Sequence, residues 1–200
     1  MGDLLTTQQM ALFVARGFLR FDALVPESIN HTVLSAIEAG GAQDGLLIRD
    51  SEVHSYPPGT PLSECYVDQP ALRQLLDLPS VRGIIRSLVG KDPLFDHHAI
   101  HHCPPNQNTA QYTHADLIID TRTNFDIQLM YYPHEITKGM GGTRYIPGSH
   151  FRRVNEMAIA RYQNVKGQQH VICPAGTLLV MHHGIWHGGG RNQSDKPRYM

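Results

Sequence analysis

The sequence predicts a mainly β protein with flanking helices. A helical first part, about 1–90, packs on an antiparallel double sheet, about 91–200, and the whole of 1–200 forms a single domain. Three observations carry that prediction. Apolar residues at helical spacing, with start and stop signals, are concentrated before Lys91. After Lys91, short β-like segments follow one another: "LFDHHAIHHC", "YTHADLIID", "FDIQLMYY", "TRYIPGS", "QHVIC", "GTLLVMHH" and "RYM". Turns at "CPPN", "KGMGG", "IPGSH" and "CPAG" separate them, as in a sandwich or barrel. No repeat, low-complexity stretch or linker divides the 200 residues.

The elements follow in order. Thr6 and Gln9 form a capping box ahead of "MALFVARG", and Gly17 ends that helix. "FLRF" is a short strand. Pro26 suits the first turn of a second helix, "PESINHTVLSAIEAG", whose Val33, Leu34 and Ile37 share a face before Gly40. "PALRQLLDL" and "SVRGIIRSLV" are two further short helices. Between the helical pairs lies "DGLLIRDSEVHSYPPGTPLSEC", a long Pro-, Gly- and Ser-rich loop, and its "DSEVHSYPPGTPLSE" part is a candidate lid. Within the β region, "FRRVNEMAIARY" reads as a single helical interruption.

Composition narrows the function. The formal net charge is -1, with no basic block or stripe, which argues against nucleic-acid partners and an electrostatic membrane contact. No apolar run approaches a membrane span. Cys65, Cys103 and Cys173 are odd in number and form no CxxC pair, so they read as free thiols of a reducing compartment. The opening "MGDLLTTQQM" lacks the basic and apolar regions of a signal peptide, and a cytoplasmic location is expected. The thirteen histidines are not scattered. His97, His98, His101 and His102 crowd one segment, His114 follows, and His182, His183 and His187 crowd another.

In "HAD", positions i and i+2 of a strand project to one face, so His114 and Asp116 stand side by side. An imidazole and a carboxylate together are two-thirds of the 2-His-1-carboxylate triad that holds Fe(II) with open positions. "GIWHGGGRNQSDKPR" supplies the rest. His187 follows the apolar strand "GTLLVM" at the rim of the sheet, and Arg198 starts a further β-like segment after a turn. Adjacent antiparallel strands would bring both side chains into one cavity. An inward arginine there calls for an anion, and its planar fork suits a carboxylate. Glycines after His187 allow a ligand to approach the backbone closely.

"HAD", "GGTRYIPGSH" and "GIWHGGGRNQSDKPR", in this order, resemble the signature segments of the phytanoyl-CoA dioxygenase-like family, and "RGFLRFDALVPESI" resembles its opening strand and helix. The resemblance runs from about Gly17 to the end. It implies a double-stranded β-helix (jelly-roll or cupin-like) core and an Fe(II)- and 2-oxoglutarate-dependent dioxygenase using O₂. It assigns His114, Asp116 and His187 as iron ligands and Arg198 as partner of the distal 2-oxoglutarate carboxylate. Tyr132 falls where relatives place an aromatic residue against the cosubstrate, and Gly189 where several carry a serine. Ala99, His101 and Cys103 alternate onto one face and line the pocket, Ala99 at a cosubstrate position. Halogenating members replace the carboxylate ligand with a small residue, so the retained Asp116 implies hydroxylation of a small-molecule substrate. The family's fold continues its last strand beyond the place where Met200 falls, so that strand is expected to be incomplete. The competing readings are a cupin-like metal protein with ligand-binding or non-redox activity, and a non-catalytic binding module. Of the remaining histidines, one of His182 and His183 is expected to face the core and the other outward, while His150 belongs to a turn.

Overall fold

The computed structural model describes residues 4–39, 51–52, 56–67, 69–116, 125–152, 156–162 and 164–200. Helix α1 (Thr7–Arg16) starts as its sequence dictates. The Thr6 hydroxyl accepts from the Gln9 N–H at 3.2 Å, and the Gln9 side chain accepts the Thr6 N–H at 2.8 Å. Gly17 ends it in the left-handed region at φ 78°, and a Cβ there would collide with the His150 ring. Strand β1 (Phe18–Phe21) then leads to α2 (Glu27–Ala39). β2 (Ser51–Glu52) precedes α3 (Pro70–Asp77) and α4 (Pro79–Val89), each with proline in its first turn. Gly40 lies outside the described residues.

The β part comprises β3 (Ala99–Ile100), β4 (His102–Cys103), β5 (Ile127–Tyr132), β6 (Thr143–Tyr145), β7 (Gln169–His170), β8 (Thr177–His182), β9 (His187–Gly189) and β10 (Arg198–Tyr199). Of the predicted helix at "FRRVNEMAIARY", the described residues show α5 (Glu156–Ile159), residues 151–152 and 160–162 are not α-helical, and residues 153–155 lie outside the described ones. Two three-stranded antiparallel sheets dominate, ordered β1-β8-β5 and β7-β6-β9. β10 pairs with β4, and β2 with β3.

β8 explains the layering. "TLLVMH" has no polar alternation, and all six of its residues are buried, because both faces of this central strand are covered. Leu178 and Val180 join Leu19 and the apolar faces of α1–α4 in one core. Leu179 and Met181 join Phe18, Met130 and Tyr132 with Tyr145, Val171 and Ile185 in the second core, between the sheets. Each fully buried side chain of this size contributes about 1.5–3 kcal/mol. The order is therefore helices, sheet, sheet. The helical first part is not separate from the β part, since β1 is an edge strand of the first sheet with Phe18 opposite Met181. Cys65, Cys103 and Cys173 are free thiols. Among the described residues no helix is long and apolar enough to cross a membrane.

The histidine pair ending β8 departs from expectation. His182 and His183 are 7% and 2% exposed, so both are buried, with rings stacked at 4.4 Å. The strict alternation of a strand lapses where β8 runs into the turn before β9. His182 also meets His150 at 5.0 Å and Phe125 at 5.3 Å, and its Nδ1 accepts the Gly184 N–H. Burial first, then the neighbouring His183 and His150, lower His182 to about 4. An unfolded histidine takes its proton near 6.5, before the folded one does, so stability is full above that pH and falls on acidification toward 4. Urea unfolding at pH 7 and pH 5 is expected to differ by about 2 kcal/mol more in the wild type than in His182→Phe.

Candidate metal centre

The segment carrying "HAD" is not a regular strand. His114 forms an isolated antiparallel bridge with His187, each N–H donating to the other's carbonyl at 2.9 and 2.8 Å. Gln111 extends the contact: its N–H donates to Gly189 O at 3.0 Å, and its side-chain oxygen accepts the Gly189 N–H at 2.9 Å. Residues 111–114 therefore run along the free side of β9, whose other side pairs with β6. This places the first histidine beside the last one. The remainder of the predicted strand, 117–120, lies outside the described residues.

The two imidazoles are oriented the same way. His114 Nδ1–H donates to Tyr112 O and His187 Nδ1–H to Ile185 O, each at 2.9 Å and each two residues back. In the neutral imidazoles both Nε2 atoms are thereby the lone-pair atoms available to a metal. They face the Asp116 carboxylate, His114 Nε2 at 3.3 Å from Oδ1 and His187 Nε2 at 3.5 Å from Oδ2. The ligand atoms of the three residues lie within 4.8 Å of one another. Neighbouring ligands at right angles around an ion with bonds of about 2.1 Å stand about 3 Å apart, so the set fits one face of an octahedron.

His187 is 5% exposed, and burial first, opposed by Asp116, lowers its pKa. Burial pushes the Asp116 carboxyl up, but the hydrogen bond from His114 and the fields of His187, His114 and His97 outweigh it and hold the group below its ordinary value. An ionised carboxylate thus meets a neutral, lone-pair-bearing His187. That arrangement is repulsive unless a cation joins the groups, and a divalent ion is the fitting one.

Arg198 is 8% exposed and makes no ion pair with any described residue. Its Nη1 donates to the carbonyls of Met140 (2.7 Å), Gly190 (3.2 Å) and Gly141. The close packing requires glycine: a Cβ at Gly190 would lie 2.5 Å from Gly141 O. Nη2 and Nε have no hydrogen-bond partner among the described residues, and a Cβ at Gly189 would stand 3.2 Å from Nη2. Burial lowers the guanidinium, against the pull of Cys103 and Tyr132. A buried cation with half its fork unused is suited to a carboxylate.

Arg198 arrives by a route the sequence did not suggest. β10 is not paired with β9. It pairs with β4, with Arg198 opposite Cys103, and the intervening turn crosses from one pair of strands to the other. Asn192, fully buried, ties that crossing. Its Nδ2 donates to the carbonyls of Cys103, Pro104 and Lys196, while its Oδ1 accepts the Ser194 N–H and hydroxyl. Only the turn composition "RNQSDKP" hinted at this role. Asn192→Ala is expected to lose about 1–3 kcal/mol of stability, read as a lowered Tm, because it strands several buried backbone carbonyls at once.

The other candidates divide. Tyr132 is fully buried between the sheets, its hydroxyl donating to Thr143 Oγ1 at 2.9 Å. A cavity of about 1400 Å³ reaches Asp116, and Ala99 and His101 border it, whereas Cys103 lies opposite Arg198 and does not. Pro58, Gly59 and Leu62 of the candidate lid border the same cavity, and residues 50 and 53–55 of that loop lie outside the described ones. His102 stacks on Tyr199 at 5.0 Å, and His134 Nε2 accepts the Tyr199 N–H at 2.9 Å, so both brace the strand that carries Arg198. His150 donates Nε2–H to Val14 O at 3.1 Å, a structural contact with α1.

The same architecture occurs in solved structures. EctD from S. alaskensis in its apo form superposes with a TM-score of 0.73 at 18% identity, over 100% of this chain and 76% of that one. HygX from Streptomyces hygroscopicus, with nickel and 2-oxoglutarate bound, gives 0.70 at 17% identity, over 98% and 85%. EvdO2 from Micromonospora carbonacea var. aurantiaca, complexed with 2-oxoglutarate, gives 0.65 at 18% identity, over 100% and 89%. At such identities the likeness is one of fold. No curated protein matches the sequence. The family model described as phytanoyl-CoA dioxygenase (PhyH) matches residues 16–200, and the chain therefore belongs to that family.

Proposed function

We propose that the chain is an Fe(II)- and 2-oxoglutarate-dependent oxygenase that hydroxylates a small organic substrate, on a single-domain double-stranded β-helix. The observation that carries this reading is the convergence of a carboxylate and two imidazole nitrogens, His114, Asp116 and His187, within 4.8 Å of one another. His114, Asp116 and His187 hold the metal. Two further features support the reading: membership of the PhyH family, and relatives of like fold solved with iron, or with nickel and 2-oxoglutarate.

When bound, Fe(II) with 2-oxoglutarate and O₂ supplies the oxidising power, and the overall reaction converts R–H to R–OH with release of succinate and CO₂. The chain's own residues position and shield. The Tyr112 and Ile185 carbonyls keep both Nε2 atoms aimed at one point. Arg198 receives the distal carboxylate of 2-oxoglutarate through Nη2 and Nε, while Met140, Gly141 and Gly190 hold Nη1. Tyr132, its hydroxyl donating to Thr143 and within the field of Arg198, would stand beside that carboxylate. The space at Gly189, next to Nη2, is where a relative's serine would reach the same carboxylate. The loop of Pro58, Gly59 and Leu62 closes over the cavity and excludes water. Retention of Asp116 leaves no vacancy for a halide, which favours hydroxylation over halogenation.

The test is an anaerobic titration of the apo-protein with Fe(II) and 2-oxoglutarate, followed by visible absorption. The expected result is a weak metal-to-ligand charge-transfer band, absent in His114→Ala. Fe(II) binding without the band would favour a cupin-like, non-redox protein. Failure to bind metal would leave only the fold in common with oxygenases.

A further inference from the structure

The cavity wall beside Asp116 has an unusual one-sided chemistry. Gln128 lies on the β5 face that also carries Met130 and Tyr132, so it points to the inside of the double sheet. Its Oε1 is buried and has no hydrogen-bond partner among the described residues. His183 is 2% exposed. Its Nδ1–H is committed to Asp126 O at 2.8 Å, which leaves Nε2 on the cavity side without a partner among the described residues. Asp126 borders the same space, and its carboxylate forms no ion pair among the described residues. Asp96 is already engaged by His97 at 2.6 Å. The described lining contains no lysine or arginine.

Two acceptors thus face the cavity with no donor among the described residues, the Gln128 amide oxygen and the His183 Nε2, and beside them stands the Asp126 carboxylate, which the Ile127 N–H meets but no cation pairs. An unmet buried acceptor is expensive, and a carboxylate in such a place is more so. Burial first, then the charge of Asp96, raises the Asp126 carboxyl, and an arriving cation would relieve both effects. An anionic substrate would meet the opposite situation, with Asp96 and Asp126 repelling it. Away from this wall the cavity runs between β5 and the helices, past Ile37, Leu72 and Leu76, and is apolar.

We infer that the Gln128–His183–Asp126 wall receives a protonated nitrogen, so that the substrate is an amine with an apolar body. The inference rests on the oxygenase reading only in calling this ligand the substrate. Binding of the amine itself is independent of the metal. The wall gives specificity by charge and by donor number, and the apolar run accommodates the carbon skeleton.

Calorimetry at neutral pH tests it, using the Fe(II)- and 2-oxoglutarate-loaded protein under anaerobic conditions and three matched probes: hexylammonium, hexanol and hexanoate. Hexylammonium is expected to bind at least about tenfold tighter than hexanol, with hexanoate weakest. Asp126→Asn should erase the amine's advantage over hexanol, and an unchanged thermal melt of the variant separates lost charge from a damaged fold. Gln128→Leu should weaken the amine by a smaller factor. Equal binding of hexanol or hexanoate, an undiminished amine preference in Asp126→Asn, or no binding of any probe would overturn the inference. The charge-transfer band, recorded on the same samples, decides the oxygenase reading separately. A band without amine preference removes the inference alone, and amine preference without a band removes the oxygenase.

Discussion

Asp116→Ala is expected to abolish succinate formation from 2-oxoglutarate and to weaken Fe(II) binding by more than about 100-fold. That exceeds the range for losing a mere hydrogen-bonding partner of a ligand. The argument is one of charge as well as number. Asp116 stands 3.3 and 3.5 Å from the two imidazole nitrogens, and it is the one anionic member of the set. Without it two neutral ligands remain, and a divalent ion loses both a bond and the only negative charge that offsets its own. Fe(II) titration by calorimetry reads the affinity directly. A thermal melt of the metal-free variant serves as control for folding. Retention of near-normal Fe(II) affinity in the folded variant would take Asp116 out of the metal site.

Arg198→Ala should produce a different signature. Fe(II) binding is retained, while 2-oxoglutarate affinity falls by roughly 2–5 kcal/mol, as when one side of a buried charge pair is truncated. Arg198→Lys should rescue little, because the ammonium cannot donate to Met140 and Gly190 while presenting a second planar edge to a carboxylate. The measurement is the 2-oxoglutarate concentration needed for half of the charge-transfer band. The two variants together separate metal from cosubstrate: the band disappears in one and moves to higher concentration in the other.

The chemistry of the site was legible in the sequence to a greater degree than its geometry. "HAD" and "HGGGRNQSDKPR" identify residues by type and spacing, and the structure brings His114, Asp116 and His187 together. How they meet was not legible. His114 reaches His187 through one isolated bridge, and Arg198 comes from a strand paired with β4, since both depend on partners far along the chain. The helices were read closely where capping is local, as at Thr6, Gln9 and Gly17, and poorly at α5, where a helical pattern yields to tertiary context. Gln128 gave no signal at all. In "DIQLMYY" it is the polar member of an ordinary strand alternation, and only the pairing of β5 with β8 turns that position inward.

The partnership of β1 with β8 has a consequence for how the molecule is made. Phe18 is synthesised long before its neighbour in the sheet, Met181. The apolar faces of α1–α4 share a core with Leu178 and Val180, so they have no finished surface to rest on until β8 exists. Acquisition of structure is therefore deferred until β8 has been made, and the long closure it requires makes folding slow relative to a helical bundle of this size. During that interval the helices expose apolar stripes to solvent, which is the period in which a nascent chain is most prone to aggregate and most dependent on chaperones. Fragments ending before residue 177 should accordingly collect as insoluble protein, however sound their helices are.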